Sequence, residues 1–113
     1  MMDIELNDLY HKMALRTWRR PRALRRMKDN AILRLKAIPG DHECWFILGN
    51  LYYIEEDFKR AEACFRNCVK LNQSRVHYFS ALAFSLRHQG KHELCESILF
   101  GLDSLMKKTP AGE

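Results

Sequence analysis

Four cysteines and five histidines are the side chains of this 113-residue sequence best suited to metal binding or nucleophilic chemistry. Cys64 and Cys68 are four residues apart, so in a helix their thiols lie on one face. A metal site would need more ligands, but no C-x2-C pair is present and the histidines are scattered. We therefore interpret the cysteines as reduced, buried packing residues, and we predict no metal and no cofactor.

Catalytic motifs give still less support to an enzyme. The sequence has no glycine-rich phosphate loop, no nucleophile elbow and no metalloprotease helix motif. Its densest acidic run, Glu55 to Asp57, fits a turn and the start of a helix, where the helix dipole favours negative charge. We predict that the protein is not an enzyme.

Positive charge is concentrated in the N-terminal third. Residues 1–40 contain ten Lys/Arg and four Asp/Glu, whereas residues 41–113 contain nine and ten. The basic cluster consists of Arg16, Arg19, Arg20, Arg22, Arg25 and Arg26. It is interpreted as a solvated helix face, with an acidic protein partner and nucleic acid as alternatives. Nucleic acid is the weaker alternative, because only Trp18 accompanies the arginines as a stacking aromatic.

Composition favours one helical domain. Prolines and glycines are few, and the chain is 47% hydrophobic and 29% charged. The N-terminus does not resemble a secretory signal, and the least polar run, 76–86, is too short to span a membrane. We expect a cytoplasmic protein that does not bind membranes.

A motif with regular spacing predicts the helices that position the cysteines, the histidines and the acidic run. Trp45, Leu48, Gly49 and Tyr52 follow the pattern W-x2-L-G-x2-Y, and Ala61 and Phe65 follow as a small residue and an aromatic. In these features residues 42–75 resemble the tetratricopeptide repeat family. The resemblance implies two antiparallel helices per repeat, stacked as an all-α solenoid.

A second copy follows at the family's period of 34 residues. Large residues again fall on large positions and small residues on small ones, with Gly90 near the expected turn. The corresponding residues are Phe79, Leu82, Ala83, Leu86, Cys95 and Leu99. Residues 76–109 are therefore interpreted as a degenerate repeat.

The segment before residue 40 matches the pattern poorly. His11 and Met27 fall on the positions of Trp45 and Ala61, and only Trp18, Ala31 and Pro39 suit theirs. Pro21 nevertheless suits a helix start, and Pro39-Gly40 suits a helix end. We predict about three hairpins: a basic N-terminal hairpin over 1–40, repeats at 42–75 and 76–109, and a tail at 110–113.

The resemblance implies that the first helix of each repeat lines a concave groove. The first-helix residues turned away from the packing motif are predicted to line it: Glu43, Phe46, Asn50, Tyr53, His77, Ser80, Phe84 and Arg87. They would form a partly aromatic groove able to anchor a peptide or helix of another protein. Alternatively, Phe46 and Phe84 pack against the N-terminal hairpin.

The implied function is that of a protein-binding adaptor or chaperone-like escort. Asn50 fits the clamp with which some family members grip the acidic tails of heat-shock chaperones, but Phe46 and Ala81 replace other clamp residues, so that function is disfavoured. In size and repeat count the chain is similar to type III secretion chaperones, which are an alternative. A nucleic-acid-associated protein is the other.

The last predicted helix, about 91–107, has a broad apolar stripe. It consists of Leu94, Ile98, Leu99, Leu102, Leu105 and Met106. A terminal helix of a repeat array normally has a polar outer face. We therefore expect part of this stripe to contact a dedicated partner or a second copy, giving a homodimer through the C-terminal helix.

Overall fold

The computed structural model describes residues 21–108, with side chains as far as Asp103. This part of the chain consists of five helices and no strand, which confirms the all-α prediction. The helices are α1 Pro21–Ala37, α2 His42–Ile54, α3 Phe58–Leu71, α4 Val76–His88 and α5 His92–Lys108. The first helix predicted within 1–40 and the tail at 110–113 lie outside the described residues.

The helix starts follow from the local sequence. α1 begins at Pro21, where the missing N–H costs no helical hydrogen bond. Asp41 and Asp57 cap α2 and α3, since their carboxylates accept hydrogen bonds from the backbone N–H groups of Cys44 and Arg60 at 3.1 and 3.2 Å. The acidic run thus lies at a turn and a helix N-terminus, as predicted.

The turns inside the two hairpins have the same geometry, 34 residues apart. The N–H of Asp57 donates to the Tyr52 carbonyl, and the N–H of Lys91 donates to the Leu86 carbonyl, both at 2.9 Å. In each turn, the residue just before the donating N–H has a positive φ, 63° at Glu56 and 79° at Gly90. The repeat period is therefore a property of the backbone as well as of the sequence.

Each helix packs against the next along the chain. The tightest contact lies between α2 and α3, where a Cβ atom on Gly49 would be 2.6 Å from Cε1 of Phe65. The glycine of the motif is therefore required where the Phe65 ring approaches the α2 backbone. The helices stack as the predicted solenoid of hairpins.

Two apolar clusters hold the stack together. One joins α1, α2 and α3 through Ala31, Leu35, Cys44, Leu48 and Cys64. The other joins α2 to α5; its buried members are Phe46, Ala61, Phe65, Cys68, Tyr78, Ala81, Leu82, Ala83, Leu86 and Cys95. Trp45 and Tyr52 pack against both clusters, which makes the core continuous along the stack. None of the helices in residues 21–108 is both long and apolar enough to cross a membrane.

Candidate peptide-binding groove

The eight residues predicted to line the groove lie on α2 and α4 at matching turns, but at different depths. Glu43, Phe84 and Arg87 are exposed, and Tyr53 and Ser80 are partly buried. Phe46, Asn50 and His77 are buried, with exposures of 2%, 7% and 4%. The structure therefore divides the predicted lining into a buried base and an accessible part.

Phe46 belongs to the core, so its prediction as an exposed groove residue is wrong. Its ring centroid lies 4.9 to 5.8 Å from those of Phe65, His77 and Tyr78. The ring contacts within residues 21–108 are made to α3 and α4. The alternative, packing against the N-terminal hairpin, also involves residues 1–20, which lie outside the described residues. α4 approaches α2 closely enough to cover this part of the α2 surface.

Asn50 and His77 are also corrected to buried positions. The amide Nδ2 of Asn50 donates to the Phe46 carbonyl at 2.9 Å, one turn earlier in α2. The ring of His77 packs edge-on against Phe46, which keeps it inside the same aromatic cluster. Both side chains support the base of the groove instead of facing solvent.

Tyr53, Phe84 and Arg87 form the accessible part. Tyr53 is partly buried, and burial raises the pKa of its hydroxyl although the nearby Arg87 guanidinium lowers it. The Arg87 guanidinium on α4 is therefore near the Tyr53 hydroxyl on α2. Phe84 lies one turn before Arg87 on α4 and is 39% exposed. The result is an aromatic surface beside a positive charge.

Phe58 and His88 extend this surface, and neither was predicted from the sequence. Their rings stack with centroids 4.4 Å apart and 7° between planes, and Tyr53 packs edge-on against both. Phe58 begins α3 and His88 ends α4. Both residues lie at helix ends next to the two repeat turns, and this location was the only indication of them in the sequence. The first-helix pattern that predicted the groove does not include these positions.

At the opposite end, polar contacts connect α2 with α4 and the residue before it. Arg75 donates to the Glu43 carboxylate at 3.2 Å and lies over the Tyr78 ring at 5.8 Å. Nδ1 of His42 and the Tyr78 hydroxyl are hydrogen bonded at 2.7 Å. Ser80 lies between the two ends, and its hydroxyl contacts the Val76 carbonyl at 3.5 Å. Glu43 is thus engaged with its own chain.

The comparisons with known proteins agree with this architecture. A family model described as tetratricopeptide repeat matches residues 42–75, the segment containing α2 and α3. Residues 42–75 are therefore similar to a tetratricopeptide repeat. α4 and α5 repeat its turn geometry, although the family model matches only the first of the two hairpins.

A solved structure with a similar fold is "MamA 41-end from Desulfovibrio magneticus RS-1". The TM-score is 0.68 at 17% sequence identity, and the match covers 84% of this chain. It covers 57% of the MamA chain, so this protein spans less than two thirds of that structure. The likeness concerns the fold. A search of curated proteins gave no match.

The basic cluster lies only partly within the described residues. Arg22, Arg25 and Arg26 are exposed on α1, which begins at Pro21 as expected. Arg16, Arg19 and Arg20 fall outside the described part of the chain. α1 packs against α2 on the side that contains Cys44 and Leu48, away from the candidate groove residues Tyr53, Phe84 and Arg87.

The cysteines are buried beneath the repeats, as predicted. Desolvation raises the pKa of Cys64 to about 12 and also raises that of Cys68. Both thiols are therefore protonated and weakly nucleophilic at neutral pH. In the region from 21 to 103, no group of three or more His, Cys, Asp or Glu side chains is arranged to hold a metal ion.

The apolar stripe of α5 is only partly turned inward. Cys95 and Leu102 are buried, but Leu94 and Leu99 are 49% and 38% exposed. Leu105 and Met106 belong to α5, but their side chains lie beyond the described ones. Phe100, which the apolar stripe does not include, is 75% exposed on the face of α5 opposite Cys95 and Leu102.

Proposed function

We propose that this protein is a small binding module that holds a peptide or helix of a partner protein against the accessible end of α2 and α4. The observation that carries the proposal is the surface of Tyr53, Phe84 and Arg87, an aromatic patch with an adjoining guanidinium. A tetratricopeptide repeat is typical of protein-binding chains, because stacked hairpins present an extended concave surface.

The chemistry of this surface limits the partner. Tyrosine and phenylalanine offer apolar area at low entropic cost, and arginine recognises carboxylates through two parallel hydrogen bonds. Arg87 is exposed and forms no ion pair among the described residues. We therefore propose a partner segment with an apolar side chain next to an acidic one.

The buried base supports such binding by fixing the helices. Phe46 and His77 join α2 to α4 through ring contacts at 4.9 Å, while Tyr53 and His88 join them at the accessible end at 5.3 Å. A surface held at both ends loses little conformational entropy when a peptide binds. The module would act as an adaptor or escort in the cytoplasm, without catalysis.

The alternative of nucleic-acid binding through α1 has weaker support. Three exposed arginines lie there, but Asp29 and Leu33 share the exposed face, and no aromatic side chain is exposed on α1. Sequence-tolerant binding of single strands relies on aromatic stacking as well as on charge. We favour a protein partner.

The proposal is tested by affinity capture from cells that express the chain, followed by titration of the captured partner. Phe84→Ala combined with Arg87→Ala should weaken binding at least about tenfold, or ~1.4 kcal/mol. The matched control is Lys70→Ala with Leu71→Ala, which removes an exposed charge and an exposed apolar side chain from α3. Equal binding by both double variants, with unchanged circular dichroism, would show that the surface is not the binding site.

A further inference from the structure

The two most exposed large apolar side chains of residues 21–103 lie on the first and last described helices. Leu33 on α1 is 68% exposed, and Phe100 on α5 is 75% exposed. Neither belongs to the groove at Tyr53, Phe84 and Arg87. Each lies among charged residues of one predominant sign, and the two signs are opposite.

The exposed face of α1 is basic. Residues 21–37 contain six Lys/Arg and one acidic residue, Asp29. Lys28 and Arg34 pair within the chain, with Glu55 at 2.5 Å and Asp41 at 2.6 Å. The remaining cations form no ion pair in the described region and share the helix face of Leu33: Arg22, Arg25, Arg26 and Lys36.

The exposed face of α5 is acidic. Glu93, Glu96, Phe100 and Asp103 follow one another at intervals of three, four and three residues, which places them on one side of the helix. Residues 92–103 contain no Lys or Arg, and Lys107 and Lys108 lie at the end of the helix. Phe100 therefore follows two exposed carboxylates, Glu93 and Glu96, and is the counterpart of Leu33 among its cations.

We propose that α1 of one copy binds α5 of a second copy, so that the chain associates head to tail. Leu33 and Phe100 would supply the apolar contact, while the arginines of one copy face the carboxylates of the other. A two-fold contact between two α5 faces would bring like charges together, and so would one between two α1 faces. The sequence predicted a homodimer through the C-terminal helix. The proposed contact instead joins unlike faces, α1 of one copy and α5 of another.

A contact between unlike faces leaves one free face at each end of the pair. Such heterologous contacts continue into rings or open chains. The contact between α1 and α5 of two copies would also continue the stack of helices, in which each helix packs against its neighbours along the chain. An interface centred on two helix faces is small, so the association should be weak, reversible and sensitive to salt.

Charge reversal at each face tests the proposal by sedimentation velocity on the full chain, from about 10 µM to about 1 mM. Glu93→Lys with Glu96→Lys should abolish association of that variant, and Arg22→Glu with Arg26→Glu should do the same. An equimolar mixture of the two variants should associate again, because an unaltered α1 meets an unaltered α5. Lys59→Glu with Lys70→Glu, on exposed positions of α3, should behave as the wild type.

Three results would overturn the proposal. The first is a wild-type chain that stays monomeric over the whole concentration range. An arginine-reversed variant that associates like the wild type indicates a contact between two α5 faces, and a glutamate-reversed variant that does so indicates one between two α1 faces. Should a reversed variant lose its helical circular dichroism, Leu33→Ser and Phe100→Ser replace it, and each alone should weaken association at least about threefold.

Discussion

The packing of α2 on α3 requires Gly49, a residue without a Cβ atom. Its absent Cβ leaves room for the ring of Phe65, which is 1% exposed and therefore cannot move into solvent. Well-packed interiors resist added methyl groups, because neighbouring side chains must leave their preferred rotamers.

Gly49→Ala should therefore destabilise the protein by about 1–3 kcal/mol, since the new methyl group would displace the Phe65 ring. Gly101→Ala is the control: Gly101 also lies inside a helix, but a Cβ there would meet nothing within 4 Å. That change should stabilise α5 by about 0.5–1 kcal/mol. Urea unfolding of both variants measures the difference, and equal effects would contradict the close approach at Gly49.

Glu62 links stability to pH. Burial alone would raise the pKa of its carboxyl, but hydrogen bonds from Arg66, Gln89 and Lys91 outweigh burial and lower the pKa below 4.5. The folded state therefore holds its proton less tightly than the unfolded state does. Glu62 contributes stability above pH 4.5, and that contribution is lost as the pH falls through its folded value.

Unfolding free energies at about pH 7 and about pH 3.5 test this linkage. Glu62→Gln should reduce stability at the higher pH and lessen the further loss on acidification, because the titrating group is gone. An unchanged pH dependence in Glu62→Gln would refute the assignment.

The sequence identified some of these residues and not others. Gly49, Ala61 and Phe65 could be predicted, because a close helix crossing permits only certain sizes at those positions. Phe46 could not, since spacing gives the face of α2 but not how closely α4 approaches it. Phe58 and His88 form the stacked end of the groove through tertiary contacts that no local pattern encodes.

At the scale of elements, the hairpin turns decide where each repeat reverses direction. Gly90 marks one turn in the sequence, and the structure confirms it with φ of 79°. The equivalent turn has Glu56 at φ of 63°, a left-handed conformation that is unfavourable for a residue with a Cβ. The sequence suggested a turn there only through its acidic run, because the position lacks the glycine that would have marked it.

Substitutions at Glu56 and Gly90 should change the stability of the fold in opposite directions. Glu56→Gly should stabilise the fold by about 1 kcal/mol, because it removes the left-handed strain. Gly90→Ala should destabilise it by a similar amount, although the added Cβ would meet no atom within 4 Å. Thermal unfolding distinguishes the two, and a lower melting temperature for Glu56→Gly would contradict the turn geometry.

At the scale of the whole molecule, the stacking of hairpins explains both the core and the surfaces. Each helix buries one face against its neighbours, which leaves the α2–α4 groove and the outward faces of α1 and α5 available. The 34-residue period predicted this architecture. It did not predict that Phe46, Asn50 and His77 are buried, because their burial depends on how closely α4 approaches α2.

The proposed function requires contact between a partner protein and the accessible end of the groove. A photoreactive phenylalanine analogue at position 84 tests this directly, with the same analogue at exposed Leu71 as the control. After irradiation in cells, we predict a covalent adduct between the partner and the chain labelled at position 84, and none from position 71. Equal adducts from both positions, or an adduct from position 71 alone, would contradict the account.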